Sequence, residues 1–98
     1  MTNLKQRLLE DVNNRIAKME IEIKASDEES EILIAKQGIE NVLMNKQDIG
    51  AELREDFKYS AMALESMIIM EKERNMELKK DLEMAKYRKT AIENAQNE

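Results

Sequence analysis

From Gly50 to its end the chain contains neither proline nor glycine, and a mostly apolar seam runs through it at alternating spacings of four and three. Leu64, Ile68, Glu71, Asn75, Leu78, Leu82, Ala85, Lys89 and Ile92 follow one another in that rhythm. An average step of 3.5 residues is the heptad repeat, which keeps one stripe of a helix turned toward a neighbouring helix over many turns. The seam predicts an uninterrupted helix over residues 50–93, about 60 Å long at about 1.5 Å per residue. Acid-before-base pairs three residues apart, Glu55–Lys58, Glu71–Arg74, Glu77–Lys80 and Glu83–Lys86, support it from outside. Asn75 falls within the seam, where a buried asparagine sets register and oligomeric state at some cost in stability.

The most apolar window of the chain, Phe57–Met70, lies near the start of this helix. Phe57, Ala61, Leu64 and Ile68 continue the seam backward, while Met62, Met67, Ile69 and Met70 spread apolar surface onto neighbouring faces. A helix apolar on more than one side needs several neighbours, so the window predicts a bundle interior or an oligomer interface. The candidate interface residues are therefore Phe57, Ala61, Met62, Leu64, Met67, Ile68, Ile69, Met70, Asn75, Leu78 and Leu82. Met-rich surfaces repack around varied partner helices, although core filling is the plainer use of such residues.

Ahead of Gly50, Leu4, Leu8, Val12, Ile16, Met19 and Ile23 predict an amphipathic helix over residues 3–24. Ser26 followed by Glu29 forms a capping-box pattern, which places a break at Ala25–Ser26 and sets Asp27, Glu28 and Glu29 in a new first turn. The series Ile21, Ala25, Glu28, Ile32, Ala35 and Ile39 is also helical, so one helix running through Ser26 is the alternative. The second helix, residues 27–47, would turn Ile32, Ala35, Ile39 and Val42 or Leu43 to one face, with Gly38 marking a close approach or a local break. The stretch Asn45-Lys46-Gln47-Asp48-Ile49-Gly50 is the turn, with Asp48 placed to cap the helix beyond it. The expected architecture is all-α, a single domain over residues 1–98 with two or three long helices in a hairpin or coiled-coil bundle. Residues 94–98 are expected to fray, and a homo-oligomer is expected because a short chain buries too little surface alone.

Composition narrows the function classes. Cysteine and histidine are absent, which removes disulfides, thiolate nucleophiles, Cys/His zinc sites and His-based proton transfer. The acidic run around Asp27–Glu31 lacks the alternating ligands and central glycine of a calcium loop, and the two glycines stand too far apart to cradle phosphate. No catalytic residue, metal site or cofactor is expected. The longest unbroken apolar runs are Ala61–Leu64 and Met67–Met70, far short of the roughly 20 residues a spanning helix needs, so no membrane association is expected. The first residues carry mixed charge without an apolar stretch, which argues against a secretory signal and for a cytoplasmic protein.

Residues 25–56 hold three basic against nine acidic side chains, which accounts for the net charge of −5. The acidic surface Asp27, Glu28, Glu29 and Glu31 suits a basic partner, and direct nucleic-acid binding is disfavoured because lysines and acids interleave. Taken together the residues point to a non-enzymatic adaptor, assembly factor or inhibitor that binds another protein through a helical surface. The alternatives are a self-assembling structural coiled coil and an acidic accessory that imitates nucleic acid toward a nucleic-acid-binding protein.

Overall fold

The computed structural model describes residues 3–95. They form two helices, α1 over Leu4–Met44 and α2 over Ala51–Asn94. Asn3 caps α1: its side-chain oxygen accepts the Lys5 backbone N–H at 3.0 Å. The turn falls where its composition places it. At the end of α1, Asn45 N–H donates to the Asn41 carbonyl at 3.2 Å and Lys46 N–H donates to that of Leu43 at 3.2 Å. The Arg54 guanidinium reaches back to the carbonyl of Lys46, in the turn, at 2.9 Å and ties the turn to the first residues of α2. Gly50, rather than Asp48, takes the capping position of α2, its carbonyl accepting the Arg54 N–H at 3.1 Å. Glu52 stands in the first turn of α2, where the helix dipole favours an anion.

The break expected at Ala25–Ser26 is absent, and helices over 3–24 and 27–47 are replaced by one. Ser26 is fully buried and lies inside the helix, so it starts no new one. The penalty for serine in a helix interior is only about 0.5 kcal/mol, and with no proline or glycine near it nothing forces the chain out of the helix. Asp27, Glu28 and Glu29 are consequently mid-helix and exposed rather than in a first turn. Gly38 breaks nothing either, and a Cβ added there would meet nothing within 4 Å. Of the tail expected to fray, α2 includes Asn94, Ala95 forms a bend, and residues 96–98 lie outside the described residues.

The chain divides into two compact units. In the terminal unit, residues 3–25 run antiparallel to residues 75–95. Leu9, Val12, Ile16, Met19 and Ile23 are sheltered on α1, and Asn75, Leu78, Leu82, Ala85, Lys89 and Ile92 on α2. Lys5 takes a sheltered place in the same rhythm, and its ammonium donates to the carbonyls of Glu93 at 3.0 Å and Ala95 at 3.1 Å. It thereby supplies donors for the closing turn of α2. In the turn unit, Ser26–Arg74, the sheltered residues are Ser26, Ser30, Leu33, Gln37, Glu40, Leu43 and Met44 on α1. Opposite them are Phe57, Ala61, Leu64, Ile68 and Glu71.

All the seam positions expected on α2 are therefore sheltered. On α1 the phase differs from expectation. Leu4 and Leu8 are exposed, and Leu9 takes the sheltered place. Each spacing of four overshoots one turn by about 40° at 3.6 residues per turn, so three in succession carry Leu4 well away from the face of Ile16. A four-three alternation does not drift in this way.

Candidate interaction surface

In the turn unit the candidate interface residues separate into two sets. Ala61 and Ile68 are buried, and Phe57 and Leu64 are half-buried against the chain's own α1. Met62, Met67, Ile69 and Met70 are exposed, Met70 to 69%. The expectation that this window is enclosed on several sides does not hold within a single chain, because with only two helices α2 has one neighbour, which covers one stripe. In the terminal unit, Asn75 is buried while Leu78 and Leu82 are half-buried, so these three serve the chain's own pairing.

What packs against the window is more polar than its apolar content suggests. Gln37 faces α2 and its side-chain amide donates to the Ala61 carbonyl at 3.4 Å and to Glu65 Oε2 at 2.6 Å. Three positions on, the Glu40 Oε2 atom is shielded from solvent with no hydrogen-bond partner. A buried acceptor left unsatisfied costs about 1–3 kcal/mol. Glu71 is half-buried and pairs with Arg74 at 2.9 Å along the same helix.

On this stretch of α1 Leu33 is buried and Leu43 and Met44 are half-buried, but the other large apolar residues lie elsewhere. Ile32, Ile39 and Val42 are exposed, Ile39 to 60%, as are Ala35 and Ile34. The face predicted from Ile32, Ala35, Ile39 and Val42 is thus the outer one, while Leu43, the alternative to Val42, is half-buried. One uninterrupted helix keeps the phase of Leu9, Val12, Ile16, Met19 and Ile23, and that rhythm continues to Ser26, Ser30, Leu33, Gln37, Glu40 and Met44. The signal that identifies the sheltered face is the heptad count taken through Ser26, which the capping-box pattern obscures.

On α2 the outward residues Tyr59, Met62, Ile69 and Met70 form a second exposed apolar ridge. The acidic residues Asp27, Glu28, Glu29 and Glu31 are all exposed. Over residues 26–74 six basic side chains stand against twelve acidic ones, whereas the rest of the sequence has ten against nine, so the turn unit carries a net charge of −6. In the terminal unit a shallow groove is lined by Leu8, Val12, Ala85 and Ile92, with Asp11, Arg15 and Arg88 beside them. Among the described residues no helix is long and apolar enough to cross a membrane, and no three carboxylates converge in a way that would hold a metal ion. Comparison with protein-family models, with curated proteins and with solved structures returned no match.

Proposed function

We propose that this protein is a non-enzymatic interaction module, acting as an adaptor, assembly factor or inhibitor, and that its turn unit is the part that engages another protein. The observation that carries this reading is the distribution of apolar surface there. Ile32, Ile39, Val42, Leu53, Tyr59, Met62, Met67, Ile69 and Met70 are all exposed, while Gln37 and Glu40 are directed at the neighbouring helix. Full enclosure of an aliphatic side chain of this size is worth about 1.5–3 kcal/mol, and clustered exposure of this kind marks a surface that meets something else. Methionine suits the role because its unbranched, polarisable side chain adapts to partners of different shape.

The reading is tested with the full chain, tagged, and with a Met62→Glu/Met70→Glu variant, which changes two exposed positions and leaves the helix seam intact. Both are used for capture from lysate of the source cells, with the retained proteins quantified by mass spectrometry. At least one protein is expected to fall by about tenfold or more with the variant, in line with the loss of a central interface anchor, while helicity by circular dichroism stays the same. An identical set of retained proteins with this variant and with Ile39→Glu/Val42→Glu, which alters the exposed face of α1, would sink the reading. Sedimentation velocity provides the second check: a closed oligomer that the variant dissociates would make self-assembly the function instead.

A further inference from the structure

The outer face of α1 carries apolar residues at heptad spacing. Glu28, Ile32, Ala35, Ile39 and Val42 succeed one another at four, three, four and three, and all five are exposed. This is a second heptad series, set two positions away from the sheltered one, on a helix whose first series is already engaged. A 3.5-residue rhythm fits a surface that lies along another helix, since side chains spaced this way form knobs and holes for a helical partner. Gly38 lies beside Ala35 and Ile39 on this face. Nothing in the chain requires a glycine there, as an added Cβ would meet no neighbour. Glycine costs about 1 kcal/mol relative to alanine in a helix interior, and together with Ala35 it leaves a smooth place where a second helix can come close.

Charge selects the occupant. Along this face Glu28, Glu29 and Glu31 are exposed with Lys36 as the basic member, and they belong to the unit of net charge −6. A second copy would bring the same acidic unit against it, whereas flanking positions of a coiled coil favour opposite charge. We propose that the outer face of α1 from Glu28 to Val42 is a docking site for a basic amphipathic helix of a partner protein, with apolar residues at heptad spacing and lysine or arginine on its flanks. This inference rests on the reading of the protein as an interaction module, but it concerns α1 and not the Met62–Met70 ridge of α2.

The probes are two fluorescein-labelled designed peptides of about three heptads, identical in their Leu/Ile seam, one with lysine and one with glutamate at the flanking positions. Binding to the full chain is read by fluorescence anisotropy at about 0.05 M and about 0.5 M salt. The lysine peptide is expected to bind and to weaken with salt, and the glutamate peptide is expected not to bind. Ile39→Glu/Val42→Glu, at two exposed positions, should weaken the lysine peptide by about tenfold or more. Glu28→Lys/Glu31→Lys should shift preference toward the glutamate peptide, while Met62→Glu/Met70→Glu should change nothing. Equal binding of both peptides, absence of binding, or indifference to Ile39→Glu/Val42→Glu would each overturn the assignment. A loss confined to Met62→Glu/Met70→Glu would move the site to α2 and leave the module reading standing. A dimer by sedimentation equilibrium that Ile39→Glu/Val42→Glu dissociates would make a second copy the occupant and refute the basic helix.

Discussion

Between Leu4 and Ala25, α1 shelters Leu9, Val12, Ile16, Met19 and Ile23 and carries five basic against four acidic residues. Between Ser26 and Met44 the same helix shelters Ser26, Ser30, Gln37 and Glu40 along with Leu33, Leu43 and Met44, leaves Ile32, Ile39 and Val42 outside, and carries one basic residue against five acidic. The first stretch shelters a mostly apolar stripe, although Leu4, Leu8 and Ile21 are exposed. The second adds small and polar groups to Leu33, Leu43 and Met44 on its sheltered side and leaves Ile32, Ile34, Ile39 and Val42 exposed. The two stretches of one helix thus differ in the polarity of the stripe they shelter.

The contrast is most exposed to refutation at two adjacent residues. Leu33 is 3% exposed and Ile32 48%. Leu33→Asp should destabilise the protein by about 3 kcal/mol, since it replaces a buried side chain with an unpaired charge, and Ile32→Asp by less than about 0.5 kcal/mol. Thermal melts monitored by circular dichroism decide the matter, and exchanged effects would mean that α1 turns its other face to α2. Next in size, Gln37→Leu/Glu40→Leu should stabilise by about 1–2 kcal/mol, because apolar contact replaces polar groups that include the unsatisfied Glu40 oxygen. A lower melting temperature would show that those polar groups hold the pair together. Gly38→Ala should raise stability by about 1 kcal/mol in denaturant titrations, as the added methyl meets open space. If it also weakens the lysine peptide, close helix approach at Gly38 is sharpened from inference to measurement. The smallest effect belongs to the terminal unit, where Lys5→Ala should cost about 0.5–1 kcal/mol through loss of its bonds to the carbonyls of Glu93 and Ala95. Hydrogen exchange of the last amides of α2 should then accelerate ahead of the rest, and uniform exchange would show the tether to be idle.

Much of the fold is legible in the residues. The turn at Asn45–Gly50 is dictated by its asparagine, aspartate and glycine, and the α2 seam from Phe57 to Ile92 by an alternation too regular to place on any other face. The phase of α1 is less legible, because that helix carries two heptad series. The more apolar of them past Ser26, containing Ile32 and Ile39, is the outer one, and a reading that ranks faces by hydrophobicity chooses it. Ser26 misleads for a related reason: serine and glutamate three residues apart match a capping box in sequence, yet the same serine is small enough to be wholly buried within the helix. The candidate interface divides likewise. Ala61 and Ile68 are consumed by the internal pairing, while Met62 and Met70 are exposed.

Local chemistry by itself determined that this chain is helical, where it turns, and which stripe of α2 faces inward. Those properties depend on the absence of breakers, on turn propensity and on a single unambiguous period. Which stripe of α1 faces inward was decided only by tertiary structure, since an unbroken helix has one phase, and the phase that shelters Leu9 to Ile23 carries Leu33 inward and Ile32 outward. The apolar face left over from that choice is where a partner is expected to bind.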